Sequence, residues 1–352
     1  MLGRHLRAIF ASLVAAVLLL GACGDDTPGA EAFDDPEEAV LAAFSSLEAD
    51  TVELSVRFDG DAAELAEALE AVDDFQDDPA SRAMIELMAD AEFQMSGAGD
   101  DFAMAVVLAG NELAEMRFVA NTFYMRVDID RGLDIMRDID PEAASEIEMV
   151  VAMAPMIAME DPRLGFVSDL LAGGWVSMEL PPEATELLES EAQDQALNEE
   201  LLAVLQEIVA DNTEVTHTGQ ARGGERFVVT VDVATAMATA ASNPMAAQGL
   251  DITGAGTSAE DMVDEMRAEG LEPTWQFDVV ITDGAISSIR MDLAELATDA
   301  PEGVSLPILI TFSSSPAAPS APSDHRPIPA DLLEEMMGDM MGGLGPMGMS
   351  DF

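Results

Sequence analysis

Apolar and polar residues alternate along much of this chain, as they do in strands that have one buried and one solvated face. The alternation is first clear over residues 51–58, where Val52, Leu54, Val56 and Phe58 are separated by polar residues. It recurs in ten more segments, so the pattern predicts about eleven strands. The ten are residues 91–97, 102–109, 113–120, 123–128, 175–180, 213–221, 226–233, 275–281, 289–293 and 304–312.

Short turn sequences join several of these segments. They are Gly110-Asn111, Asn121-Thr122, Gly223-Gly224 and Asp283-Gly284. Connections this short force consecutive strands to lie antiparallel, and Asp-Gly suits the positive φ angles of a tight hairpin. The segments between residues 91 and 128 are therefore expected to form an antiparallel meander.

Helical spacing of apolar residues separates the strands in five or six places. A helix is expected after Asp35-Pro36, with acidic residues in its first turn. Others are expected within residues 62–89, 132–171 and 258–270, near residues 197–208, and through Met237. These elements predict an α+β fold with a single large curved antiparallel sheet, a half-barrel, whose concave apolar face is covered by helices.

The amino terminus has the pattern of a secretory signal. Arg4 and Arg7 precede an apolar run that ends at Leu20, too short to span a bilayer, which takes about 20 residues. Leu20, Gly21, Ala22 and Cys23 then resemble the bacterial lipobox. This resemblance implies that residues 1–22 are removed and that Cys23 is acylated. An ordinary signal peptide with a chance cysteine, or an apolar anchor that is never cleaved, are the alternatives.

The composition limits what the chain can bind. All 69 acidic residues and 12 of the 14 arginines follow residue 22, and lysine is absent, so the mature net charge is 12 − 69 = −57. A field of this sign repels phosphate backbones, which excludes nucleic acid as a partner. The acids are spread along the whole chain, which is more typical of a solvated surface than of a cation site.

The residue inventory argues against an enzyme. Cys23 is the one cysteine, so acylation leaves no thiol for catalysis, a disulfide or a metal. The histidines that follow the signal, His217 and His325, belong to no sequence motif of a triad or metal cluster. No phosphate loop, dinucleotide fingerprint or nucleophile elbow is found. We therefore expect no catalytic residue, no metal and no cofactor.

Methionine is unusually frequent, with 24 residues against 14 phenylalanines. Six methionines fall on predicted apolar faces and are candidates for an adaptable ligand lining, although ordinary core packing is the alternative. They are Met84, Met88, Met104, Met149, Met153 and Met156. Six more lie among glycines between residues 336 and 349, where Cu(I) binding by thioethers competes with a short amphipathic helix followed by disorder.

Four segments together resemble the actinobacterial LppX/LprG-type lipoproteins, whose fold is similar to the LolA family. They are MRFVANTFYMR at 116–126, GWVSMEL at 174–180, RFVVTVD at 226–232 and the hairpin that ends in RMDL at 290–293. The resemblance covers most of residues 37–313. It implies a half-open β-barrel whose concave face, roofed by helices, holds lipid acyl chains.

The expected organisation follows from these observations. Residues 1–22 are the signal, 23–36 a tether, 37–313 the folded domain and 314–352 a mostly disordered tail rich in methionine and glycine. The expected function is a non-enzymatic lipoprotein, anchored through Cys23 to the outer face of the cell membrane, that binds or carries a hydrophobic ligand, most naturally a lipid. The alternative is a structural or protein-interaction lipoprotein with a filled core.

Overall fold

A computed structural model describes the chain in nine stretches: residues 35–45, 51–71, 79–180, 204–205, 207–249, 259–268, 271–296, 303–313 and 317–332. The lipobox and Cys23 lie outside these residues, as do the methionines beyond residue 335.

Helices and strands alternate in groups along the described chain. The helices are α1 (Pro36–Ser45), α2 (Ala62–Ala71), α3 (Pro79–Ala89), α4 (Ile129–Ile139), α5 (Pro141–Glu160), α6 (Gly165–Leu171), α7 (Val233–Ser242), α8 (Pro244–Gly249) and α9 (Ala259–Ala268). The strands are β1 (Thr51–Phe58), β2 (Ala91–Ala98), β3 (Asp101–Leu108), β4 (Asn111–Val119), β5 (Thr122–Val127), β6 (Val176–Glu179), β7 (Thr213–Ala221), β8 (Gly224–Asp232), β9 (Thr274–Thr282), β10 (Ala285–Asp292), β11 (Pro307–Phe312) and β12 (Arg326–Pro327).

These strands form one sheet of twelve, in the order β12-β6-β5-β4-β3-β2-β1-β11-β10-β9-β8-β7. Every pairing within the described residues is antiparallel except that of β12 with β6. The predicted α+β fold with one large antiparallel sheet is confirmed, and the predicted meander is β2 to β5. The sheet has two halves, which meet where β1 pairs with β11. The first half runs from β12 to β1 in this order, and the second half runs from β11 to β7.

The sheet has one apolar face that continues across both halves. Along a single cross-strand row, Phe312 lies opposite Leu54, and Leu54 lies opposite Met95. The same row continues through the meander to Val176 on β6. Because side chains alternate between faces, all members of this row lie on the same side of the sheet.

Helices pack against this apolar face. Asp35 accepts a hydrogen bond from the backbone N–H of Glu37 and begins α1. Val40, Ala43 and Phe44 then pack against strands of the second half. Near the centre, α2 and α3 contribute Leu65 and Ile85 to a cluster around Phe58. Over the first half, α4, α5 and α6 follow in succession, and Asp140 begins α5 by accepting from the N–H groups of Glu142 and Ala143.

None of the described helices has both the length and the apolar character needed to cross a lipid bilayer.

The structure also describes residues 317–332, which lie beyond the predicted domain boundary at residue 313. Residues 317–332 run beside β6, where β12 adds a short parallel strand. The backbone N–H groups of Arg326 and Ile328 donate to the carbonyls of Trp175 and Ser177. Proline, serine and alanine content predicts a disordered tail. Composition alone does not show that this segment pairs with β6, which lies 150 residues earlier in the chain. We call residues 317–332 the strap.

Side chains hold the strap at both ends. Near its start, Arg117 donates to the carbonyl of Ser320 at 2.8 Å. Near its end, Arg163 forms an ion pair with Asp331 at 3.2 Å. Arg163 also donates side-chain hydrogen bonds to Asp161, which lower the pKa of that carboxyl below its usual value.

Candidate ligand cavity

An apolar cavity of about 200 Å³ lies between the second half of the sheet and its helices. Its floor comes from β7, β8, β9 and β10, and its roof from α1, α7 and the helical residues near 205–210. The floor residues are cross-strand neighbours, since Val215 lies opposite Val229 and Val229 lies opposite Phe277. Because side chains alternate between the two faces of each strand, these residues form one continuous apolar surface that faces the helices.

Short side chains in the roof account for the cavity between the helices and the sheet. Val40 and Phe44 lie one turn apart on α1 and are both buried. On α7, the facing positions one turn apart are Ala236 and Ala240, whose side chains are too short to fill the gap. Leu41 and Met237 line the same cavity but are 40% and 37% exposed, so they mark its opening to solvent.

Polar groups near the cavity are mostly satisfied. The Oγ1 of Thr213 donates to the carbonyl of Val209 at 2.6 Å, and the Nε1 of Trp275 donates to the carbonyl of Glu272 at 3.0 Å. Among the described residues that line the cavity, Glu37 is the charged one, and it is exposed at the start of α1. A bound molecule would therefore be held by apolar contact, with at most one carboxylate at the rim.

The volume of the cavity limits the size of the ligand that it can hold. Apolar cavities of about 150 Å³ stay dry and accept molecules such as benzene. Sites for drug-sized ligands are larger, about 300–1,000 Å³. A space of about 200 Å³ therefore suits a small apolar group or part of an alkyl chain.

The six methionines expected to line a cavity lie elsewhere, and none of them contacts this one. Met84 and Met88 are exposed on α3, and Met149, Met153 and Met156 are exposed on α5. Met104 lies on β3, in the apolar row of the first half of the sheet. Met104 is thus on the apolar face of the sheet but in the half away from the cavity, and the other five methionines lie exposed on helices.

That first half is more open than the second. Phe93 and Met95 on β2 and Met125 on β5 are 50%, 41% and 40% exposed, although they lie on the apolar face. On α5, the ten residues from 149 to 158 carry no charge, yet most are exposed and Ala154 is the buried one. The apolar face is thus covered over β7 to β10 and partly uncovered over β2 to β5.

The two histidines have local structural roles. His217 packs its ring 5.0 Å from that of Phe227 on the neighbouring strand. His325 places Nδ1 2.8 Å from the Oγ of Ser177, and its ring meets Tyr124 edge-on. The Ser177 contact attaches the strap to β6. Across the described residues, no cluster of three or more His, Cys, Asp or Glu side chains is arranged to hold a metal ion.

Comparisons with known proteins give matches only among solved structures. No family model matches the chain, and no curated protein matches it. Among solved structures, the crystal structure of the Mycobacterium tuberculosis lipoprotein LppX matches with 8% sequence identity and a TM-score of 0.32. The match covers 81% of this chain and 97% of the LppX chain.

Proposed function

We propose that this protein is a membrane-anchored lipoprotein of the cell envelope that binds or carries a hydrophobic ligand, with a lipid acyl chain as the ligand class, and that it catalyses no reaction. The observation that carries the proposal is the apolar cavity between α1, α7 and the sheet. A void between helices and sheet also argues against the alternative of a filled core, because protein interiors normally close to high density.

The energetics favour a ligand that extends beyond the cavity. Burial of one methylene contributes about 0.8 kcal/mol, so six methylenes gain roughly 5 kcal/mol before the cost of association is subtracted. That gain gives weak binding at best. A longer chain would gain more by lying on the uncovered apolar face near Phe93 and Met95.

The anchor rests on the lipobox at Leu20 to Cys23. Two or more acyl chains at Cys23 would hold the protein durably on a membrane, because one chain alone gives only marginal binding. Mass spectrometry of the mature amino-terminal peptide should show an acylated Cys23. An amino-terminal peptide with an unmodified Cys23 contradicts the anchor.

The binding site is tested by filling the cavity. In a Cys23→Ser background, which cannot be acylated at that position, Ala240→Phe places a ring into the space between α7 and the sheet. We expect affinity for a fluorescent long-chain fatty acid to fall at least tenfold, because the ring occupies the volume that the ligand needs. Fluorescence titration measures the change.

Ala268→Phe is the matched control, since Ala268 is exposed at the end of α9 and does not line the cavity. It should bind the fatty acid like the Cys23→Ser parent. Equal affinity in the parent and the Ala240→Phe protein would show that the cavity is not the binding site. A parent that binds no fatty acid would overturn the proposed function itself.

A further inference from the structure

Four methionines form an unbroken row across the first half of the sheet. Met95 on β2 lies opposite Met104 on β3, Met104 lies opposite Met116 on β4, and Met116 lies opposite Met125 on β5. Directly paired positions share a face, so all four side chains leave the sheet on its apolar side. We call Met95, Met104, Met116 and Met125 the methionine row.

The spacing of the row allows several sulfur atoms to reach one point. Neighbouring strands lie about 4.8 Å apart, and directly opposed side chains start from β-carbons about 4.5–5.5 Å apart. Methionine is unbranched and has three rotatable bonds, so its thioether can turn toward either neighbour. Three consecutive members can thus present three thioethers to a single ion.

The surroundings favour a soft ion over a hard one. The next row on the same face contains Phe102, Phe118 and Phe123, whose rings pack with centroids 5.5 Å and 4.8 Å apart in successive pairs. Among the described residues, no cluster of carboxylates and histidines offers a competing site for a hard cation. Thioethers are neutral, soft ligands, which select Cu(I) over calcium or magnesium.

Solvent can reach the row, and the protein attracts cations. The two terminal members, Met95 and Met125, are 41% and 40% exposed. The chain carries a formal net charge of −55, and such a field raises the local concentration of positive ions. Because neutral ligands leave the charge of the ion in place, this field helps to offset the cost of holding it beside aromatic rings.

We propose that the methionine row is a thioether site for a soft monovalent cation, Cu(I) or its analogue Ag(I). The proposal goes beyond the binding of a hydrophobic ligand. It uses the sulfur atoms of β2 to β5, whereas the cavity of the second half uses apolar volume. Adaptable apolar packing accounts for methionine on this face but does not require sulfur.

Replacement of methionine by leucine separates the two explanations, because it keeps the apolar volume and removes the thioether. Swaps of this kind usually cost less than about 1.5 kcal/mol, so the domain should stay folded, which circular dichroism checks. The test protein is the full chain with Cys23→Ser, since a Cys23 that has not been acylated keeps a thiol that would itself bind Cu(I). The row variant adds Met104→Leu and Met116→Leu, which leaves no three consecutive sulfurs.

Cu(I) affinity is measured anaerobically by competition with a chromophoric Cu(I) chelator. We expect the row variant to lose one equivalent of bound Cu(I) or at least tenfold in affinity. X-ray absorption of the Cu(I)-loaded parent should show sulfur neighbours that disappear in the row variant.

Two control variants test whether the loss of Cu(I) binding is specific to the methionine row. Met149→Leu, Met153→Leu and Met156→Leu together remove three exposed thioethers from α5, and a second variant changes the six methionines between 336 and 349 to leucine. Both should keep the equivalent that the row variant loses. Unchanged Cu(I) binding in the row variant, or the same loss in either control, overturns the proposal. A parent without measurable Cu(I) affinity overturns it as well, and leaves the proposed lipid binding untouched.

Discussion

At the scale of single residues, the hairpin turns show strain that substitution can relieve. Four turns have two consecutive central residues with positive φ: Ala109-Gly110, Ala120-Asn121, Arg222-Gly223 and Asp283-Gly284. This conformation matches the twist of the strands but is costly for alanine, whose β-carbon approaches the following carbonyl. Two of the four turns nevertheless begin with alanine.

The substitution Ala109→Asn should stabilise the protein. It creates Asn-Gly, the sequence that this kind of turn prefers, at a residue with a φ of 49°. We expect the free energy of unfolding to rise by up to about 1 kcal/mol, because asparagine tolerates the left-handed region better than alanine. Urea denaturation followed by circular dichroism measures the change.

The matched control is Ala152→Asn, at an exposed position within α5. Asparagine is a poorer helix former than alanine, so this variant should be less stable by roughly 0.6 kcal/mol. If both substitutions destabilise equally, the turn at Ala109 is not strained as described.

The same turns show what residue patterns can and cannot predict. The sequence located all four connections, but it placed three of them one residue late. Only Asp283-Gly284 has the predicted central pair, because both of its residues favour positive φ. At Ala109, Ala120 and Arg222 the left-handed conformation is imposed by the pairing of the strands on either side, and no local preference of the residue itself reveals it.

At the scale of elements, Arg326 links the strap to helix α6. Arg326 forms an ion pair with Asp169 of α6 at 2.9 Å. Its guanidinium also lies against Gly165, where a β-carbon would overlap it. Helix α6 and the strap therefore fit together through a glycine on one side and an arginine on the other.

The substitution Arg326→Ala should loosen the strap without unfolding the domain. We expect faster hydrogen exchange at the backbone amides of residues 326 and 328, which donate to the carbonyls of Trp175 and Ser177. If the half-exposed ion pair contributes about 1 kcal/mol, opening becomes roughly fivefold more frequent. Hydrogen exchange with mass spectrometry of peptides from residues 317–332 detects the change.

Arg137→Ala is the comparison, because Arg137 forms its ion pairs with Asp134 and Glu148 on α4 and α5, away from the strap. It should leave exchange in the strap as it is in the parent. Equal exchange in the Arg326→Ala and parent proteins would mean that strand pairing alone holds residues 326–328.

The cavity shows where prediction from elements reaches its limit. The apolar alternation in β8, β9 and β10 predicts that the floor is an apolar face. The space itself depends on Ala236 and Ala240 facing that floor. An alanine-rich helix can pack closely against a sheet or leave a void beside it. The distance between the helix and the sheet determines which of the two occurs, and the sequence does not give that distance.

At the scale of the whole molecule, charge opposes compactness. The chain has a formal net charge of −55, and self-repulsion of this kind destabilises a folded state. Exposed ion pairs such as that of Arg137 with Glu148 offset little of it, since each contributes about 0–1 kcal/mol.

Salt should therefore stabilise the protein. Raising the salt concentration from 0.1 to 1 M shortens the screening length from about 10 Å to about 3 Å and weakens the repulsion. We expect the melting temperature to rise, by roughly 2 °C for each ~1 kcal/mol gained in a protein of this size. Calorimetry in sodium chloride measures the shift.

The comparison is the same titration near the sequence pI of about 4.1, where the net charge is close to zero. There the effect of salt should largely vanish. An equal rise in melting temperature at both pH values would show that salt acts through hydrophobic burial, not through the net charge.

The pairing of β1 with β11 also sets the order in which the sheet can be completed. Ser55 and Thr311 meet there through a hydrogen bond of 2.7 Å, although 256 positions separate them in the chain. The meander of β2 to β5 and the hairpins β7–β8 and β9–β10 need only local contacts, which form quickly, whereas this seam must close a very long loop. During folding the meander and the two hairpins can thus form first as separate units, and they become one sheet only when β11, which ends at Phe312, pairs with β1.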